Sequence, residues 1–295
     1  MLRKTKSPKN RIIIRTATPL IILAVFILIW AAGNSRKAPA EEFHFITREG
    51  RVNGAPGNSI YGMEASLAAG YKSMRVSVRE TKDHVWVLCH DASINQEARN
   101  PDGTELSKEI LIAETEYSEL NQYDYGIAYD SVYAGLGLTR LDEFLEAAAA
   151  QKMELLLEMK IPLNRGQAES ISKLITQSGY GNTVWLSAFE IPTLHLLQEF
   201  LPNANMAVIM PFGEEALQAI LDSGLISKTH RTRLDCYFTD TYDPELIQEF
   251  YENGIDIKVG SAYSEEQVRQ FLDLKIRYIE VANVVHPERL LKEEE

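Results

Sequence analysis

Apolar and polar residues change their spacing along this chain in a regular way. From residue 43 onward, short β-branched and aliphatic runs alternate with longer stretches whose apolar residues recur at helical spacing. Runs at 43–47, 74–78, 85–89, 154–158, 183–187, 206–210, 235–238, 255–259 and 277–281 predict strands. Stretches at 61–69, 141–151, 167–178, 192–200, 214–222, 244–253 and 264–273 predict helices between them. Ser264, followed by Glu265, Glu266 and Gln267, fits an N-cap with a capping-box glutamine. Gly254 stands where a helix-terminating glycine is expected. The longest segment between strands, 92–153, holds a helix-like stretch at 114–121 and a Tyr-rich stretch at 117–133.

The runs 74–78 and 85–89 flank a polar turn at 81–84 and read as a local hairpin. Setting the second of them aside leaves eight strands in β/α alternation, which predicts a (β/α)8 TIM barrel with a small hairpin and loop insertion. A doubly wound open sheet is the structural alternative. Barrel sites lie at the C-terminal ends of strands. Arg48, Arg75, Ser77, Glu158, Lys160, Phe189, Ser261 and the His90 turn fall there. Arg75 and Ser77 are two apart in a strand and so share a face.

A different pattern precedes the barrel. Arg3, Lys4, Lys6, Lys9, Arg11 and Arg15 lead into an apolar run at 17–33. As a helix that run is roughly 25 Å long, enough to span a bilayer with some mismatch. The basic flank predicts a cytoplasmic tail at 1–16, a transmembrane signal-anchor at 17–33 and a linker at 34–42. The domain at 43–295 is then extracytoplasmic on a single-pass cell-membrane protein. Secretion after cleavage at the small-x-small sequence Ala38-Pro39-Ala40 is the alternative.

Composition and charge narrow the function. At 295 residues and 45% hydrophobic content the chain can bury one large core. The formal net charge is −12, and the first 40 residues hold eight cations and no acid, so the remainder carries −20. That balance argues against nonspecific nucleic-acid binding. Two cysteines, Cys89 and Cys236, are too few for a disulfide framework.

The sequence TKDHVWVLCHD at 81–91 resembles the T-K-D-G-x-x-V-V-x-H-D motif of the glycerophosphodiester phosphodiesterase family, a barrel related to phosphatidylinositol phospholipases C. Ala55-Pro56-Gly57-Asn58-Ser59 is similar to the family's A-P-E-N-T, 117–126 to L-x-x-L-D-x-G, and 138–145 to I-P-T-L-x-E-x-L. Leu157-Glu158-Met159-Lys160 is similar to I-E-x-K, and Ala188-Phe189-Glu190 to S-F-D. The resemblance implies phosphodiester cleavage by two histidines, assisted by a divalent metal. The metal is held by an E-x-D pair on the second strand and by the Glu of I-E-x-K, which suits hard cations.

Several of those positions differ here. Arg48 stands at the first histidine and Glu49 at the arginine that follows it; Gly57 replaces the glutamate of A-P-E-N-T. The E-x-D pair is Arg75 and Ser77; the W-T-x-N positions are Gly260, Ser261 and Tyr263; no T-D-x-P is recognisable near 281–284. His90, Asp91, Glu158 and Lys160 keep the pattern. Glu158 is thus a remnant metal ligand facing a permanent cation, and no family-type metal or other cofactor is expected. Arg48 is not a general base near neutral pH.

The expectation is therefore a membrane-tethered, catalytically degenerate domain. Arg48, Arg75, His90 and Lys160 would bind a phosphate-bearing small molecule or lipid headgroup, with a wall polymer or a partner protein as the other occupants; the sequence does not identify a protein partner. Pairing of Arg75 with Glu158 is the alternative use of the same space. The alternative function is metal-independent phosphodiester hydrolysis. There His90 serves as acid and Arg75 stabilises charge, and Asp91, Glu49 or His44 serves as base. His84, His195, His230 and His286 read as exposed or structural.

Overall fold

The computed structural model describes residues 43–282. Nine strands form one sheet: β1 (His44–Arg48), β2 (Ser73–Glu80), β3 (Trp86–Leu88), β4 (Glu154–Met159), β5 (Trp185–Ala188), β6 (Asn205–Ile209), β7 (Thr232–Tyr237), β8 (Ile255–Ala262) and β9 (Tyr278–Val281). Their order is β1-β9-β8-β7-β6-β5-β4-β2-β3, and a β1–β2 pairing closes the ring. The eight strands of the ring are parallel, and β3 is antiparallel on β2. This is the closed (β/α)8 barrel, so the open-sheet alternative is excluded. The apolar segment 17–33 lies outside the described residues, among which no helix is long and apolar enough to cross a membrane.

Each strand buries two chemically different faces. Met74, Val76 and Val78 of β2 join the apolar core under the helices, as do Leu155 and Leu157 of β4 and Ile257 and Val259 of β8. The intervening residues face the barrel axis, where the side chains of Arg75, Glu158, Lys258 and Glu280 meet. A barrel interior is ordinarily packed with branched aliphatic residues. Here a chain of ion pairs crosses it. Glu158 binds Arg75; Arg75 Nε donates to Glu280 at 2.8 Å; Lys258 Nζ lies 2.9 Å from Glu280 and 3.6 Å from Asp235; Arg233 Nε donates to Asp235 at 2.6 Å. At the N-terminal end of the strands, the Arg233 guanidinium lies over the rings of Trp185 (4.1 Å) and Tyr278 (4.8 Å).

The helices follow the apolar spacing within a residue or two. They are α1 (Ile60–Ala68), α3 (Leu141–Gln151), α4 (Arg165–Gln177), α5 (Ile191–Phe200), α6 (Glu214–Ser223), α7 (Pro244–Glu252) and α8 (Glu265–Asp273), with a single turn, α2 (Tyr117–Leu120), in the long insertion. Gly254 follows α7 with φ 75°, as its position predicts. Two local expectations are corrected. The Ser264 side chain accepts from Gln267 N–H, but the Gln267 side chain accepts from Tyr263 N–H at 2.6 Å rather than from Ser264, so the box is half-formed. Both halves are present instead at Asn164 and Gln167. The helix-like 114–121 stretch is broken into a 3-10 turn, Ile112–Glu114, and α2, because Thr115 and Glu116 adopt extended backbone.

The segment after β3 builds a second apolar cluster from Ile94, Ala98, Ile112, Leu120, Tyr125 and Leu138, against Val87 and Cys89 of the hairpin. The Asp124 carboxylate organises its far end by accepting from the N–H groups of Gly126, Ile127 and Gly135. This cluster holds the end of β3, from which the chain leads into His90.

Candidate functional site

The strand ends converge on a cavity of about 410 Å³. Arg48, Arg75, His90, Glu158, Lys160, Phe189 and Ser261 all line it, so the barrel brings these sequence-predicted residues into one cleft, whereas Ser77 is not among the lining residues and accepts a hydrogen bond from Arg75. His44 is not among its lining residues: it stacks on Tyr278 at the opposite end of the barrel, 4.6 Å between ring centres.

Arg75 occupies the middle. Its Nε donates to Glu280, Nη1 to Ser77 at 3.0 Å and to Glu158, and Nη2 to Glu49 and Glu280 at 3.4 Å each. A guanidinium has five N–H donors, and these five bonds use them all. Burial disfavours the charged form of Arg75, but the Glu280, Glu158 and Glu49 carboxylates outweigh it and raise its pKa.

Each carboxylate is satisfied in turn. Glu158 also meets Lys160 Nζ at 2.6 Å. Glu280 receives Lys258 Nζ and the Ser261 hydroxyl, the latter at 2.6 Å. Glu49 follows β1 with φ 56°, a left-handed conformation that turns its side chain inward, where Arg51 Nε donates to it at 2.8 Å. Burial alone would raise all three carboxyl pKa values. The neighbouring Arg75 charge, with Arg51, Lys160 or Lys258, instead holds them below the ordinary range, Glu280 far below.

Gly260 makes room for this arrangement: a Cβ there would lie 2.4 Å from Glu280 Cβ. Small residues at 260 and 77 therefore go together with the large charged side chains at 75 and 280.

His90 is fixed from several sides. Its Nδ1 is 2.7 Å from Asp91 Oδ1, and its N–H donates to Glu97 Oε1 at 3.1 Å. Arg79 Nη2 donates to its carbonyl at 2.9 Å. His90 Nε2 faces the cleft, 3.9 Å from Glu49. Glu97 is buried, and burial together with the Glu49 charge pushes its carboxyl pKa up to about 7. Arg48 Nη1 donates to the Tyr263 hydroxyl at 2.8 Å.

The chemistry of these donors does not fit a divalent cation. Glu49, Glu158 and Glu280 converge on the guanidinium of Arg75, so an ion would have to displace a charged side chain already bonded to all three. Among the basic side chains that line the cleft, Arg48 and His90 are the most open to a solute, 30% and 32% exposed against 11% for Lys160. Glu280, Lys258, Glu97 and Arg79 were missed as site residues by sequence reasoning, and Glu49, a candidate base in the sequence, is instead an ion-pair partner of Arg75 and Arg51. For Glu280 the inward register of 278–281 carried the signal; Glu97 lies in no motif.

Residues 49–219 match the model of the Glycerophosphoryl diester phosphodiesterase family. A Glycerophosphodiester phosphodiesterase from Caldanaerobacter subterraneus subsp. tengcongensis is 22% identical over 234 residues, covering 77% of this chain and 88% of that protein. A phosphodiesterase from Oleispira antarctica, solved in complex with the product sn-glycerol-3-phosphate, superposes with a TM-score of 0.70 at 18% identity, covering 84% of this chain and 95% of that one. A glycerophosphodiester phosphodiesterase from Agrobacterium tumefaciens superposes with a TM-score of 0.66 at 16% identity, covering 82% and 96%. These two superpositions establish a shared barrel fold.

Proposed function

The chain belongs to the glycerophosphoryl diester phosphodiesterase family, and from that premise we propose that it is a catalytically degenerate member. In this reading it binds a phosphate-bearing ligand without hydrolysing it. The segment at 17–33 tethers the domain outside the cytoplasm. One observation carries the proposal: Arg75 fills the centre of the cleft with every N–H donor engaged by Glu49, Glu158, Glu280 or Ser77. The centre is then a neutralised structural cluster, with no metal. Phosphate contact falls to Arg48 and His90, with Lys160 beside them but bonded to Glu158.

Equilibrium dialysis of the full chain in detergent with sn-glycero-3-phosphocholine tests this. Saturable binding in EDTA is expected, with the ligand recovered intact. Arg48→Ala and His90→Ala each weaken it by about tenfold, the loss of one charge-assisted hydrogen bond. Recovery of cleaved ligand, or unchanged binding in both variants, contradicts the proposal.

A second reading has one observation in its favour. His90 is oriented by Asp91 at 2.7 Å and presents Nε2 to the cleft, the arrangement of a general acid. Metal-free phosphodiester hydrolysis by His90 and Arg75 requires turnover in EDTA that both His90→Ala and Arg75→Ala abolish.

A further inference from the structure

The rim of the cleft is divided into two arcs. Around the barrel the strands run β1, β2, β4, β5, β6, β7, β8, β9. The basic groups come from the β1, β2 and β4 side: Arg48 ends β1, His90 follows the hairpin on β2, and Lys160 follows β4. The opposite arc, from β5 to β7, presents Phe189 and Tyr237, and Tyr263 after β8 links it to the cationic corner by accepting from Arg48 Nη1. These are 48%, 38% and 49% exposed, and they are three of the seven large hydrophobic residues exposed among the described residues. Phe238 supports the wall by packing edge-on against Tyr263 at 5.6 Å. The floor between the arcs is neither apolar nor free to attract charge. Asp235, Lys258, Glu280 and Ser261 lie there, already paired with one another or with Arg75.

A ligand lying across this mouth meets three chemistries in order. It meets a cationic corner at Arg48 and His90, a polar floor of satisfied groups, and an aromatic wall. An acyl chain would cover the charged floor with methylenes, an unfavourable burial. A glycerol moiety is too short to gain from the wall. A pyranose ring satisfies both surfaces, because its C–H face lies against aromatic rings while its hydroxyls reach the floor.

We propose that the ligand of this cleft is a sugar phosphate, its phosphate at Arg48 and His90 and its sugar ring against Phe189 and Tyr237. This rests on the phosphate-binding reading above and adds the class of the attached group.

Titration calorimetry on the full chain in detergent, with four probes, separates the two claims. They are N-acetylglucosamine 1-phosphate, sn-glycerol 3-phosphate, methyl N-acetylglucosaminide and AMP. The sugar phosphate is expected to bind about tenfold more tightly than sn-glycerol 3-phosphate, the size of a stacking contribution. Phe189→Ala and Tyr237→Ala remove that preference, while Tyr237→Phe, which keeps the ring, retains it. Both residues are exposed, and thermal melts of the variants show whether they remain folded. Equal affinity for the two phosphates, tighter binding of AMP, or a preference that survives loss of the rings overturns the sugar assignment and leaves phosphate binding standing. Binding of the neutral glycoside as tight as that of the sugar phosphate overturns the phosphate corner and leaves the wall. No binding by any probe overturns both.

Discussion

Arg75 sits buried among three carboxylates, a position where a cation is required for the charges around it to be tolerated. Arg75→Met leaves Glu49, Glu158 and Glu280 facing an apolar side chain. Removing one partner of a buried ion pair costs about 3–5 kcal/mol, which lowers the melting temperature by roughly 10 °C in a domain of this size. The pH dependence has a definite sign. The folded pKa values of the three acids lie below the unfolded value, so their pairing contributes stability above that value and loses it as pH falls through the folded pKa values. In Arg75→Met the acids can be relieved by protonation, so the melting gap to the native protein is widest near pH 7 and narrows toward pH ~5. Millimolar Ca²⁺ raises the melting temperature of the variant and not of the native chain, because only the variant offers three carboxylates without a resident cation. Differential scanning fluorimetry across pH, with and without Ca²⁺, checks all three statements.

At the scale of elements, the hairpin of β2 and β3 and the insertion after it act together to hold His90. Glu97, from the insertion, receives the His90 N–H and lies 3.6 Å from Arg51. Its folded pKa of about 7 exceeds the ordinary 4.5, so the folded state keeps a proton that the unfolded chain has released. The contribution of Glu97 to stability therefore declines as pH rises from ~4.5 to ~7, by about 3 kcal/mol in all. Glu97→Gln removes the titration. Its melting temperature equals that of the native chain near pH 4.5 and exceeds it by several degrees at pH 8; a constant difference across that range contradicts the assignment.

The elements themselves were legible in the sequence because the outward faces alternate cleanly: Met74, Val76 and Val78 mark β2 whatever lies between them. The site was legible where motif positions are kept, as with His90, Glu158 and Lys160, and where a residue type is unusual for its place, as with Arg75 and Ser77 inside a barrel. Glu280 and Lys258 looked ordinary as single residues in strands, and only the closed ring brings them to Arg75. Glu49 was legible as a candidate base but not as a partner of Arg75, since its inward aim depends on a left-handed backbone that no residue type there announces. The 114–121 stretch failed for a local reason, two extended residues between two short turns.

For the molecule as a whole, charge is arranged on two levels. The residues after the first 40 carry −20 in formal charge, yet the barrel interior is balanced. Arg75, Lys160, Lys258 and Arg233 are matched by Glu49, Glu158, Glu280 and Asp235. An acidic surface around a neutralised interior gives little long-range attraction for an anion, so the proposed phosphate binding would rest on short contacts at Arg48 and His90. In the proposed reading the same balance removes the electrostatic means of activating a phosphodiester, because among the described residues no unpaired charge remains at the centre to meet a developing transition state.

The most direct test of this account is the rate of sn-glycerol 3-phosphate release from sn-glycero-3-phosphocholine by the purified full chain, measured in Mg²⁺, in Ca²⁺ and in EDTA. The account predicts no release above the protein-free rate in any of the three. Release that depends on either metal and disappears in Glu158→Ala would contradict it.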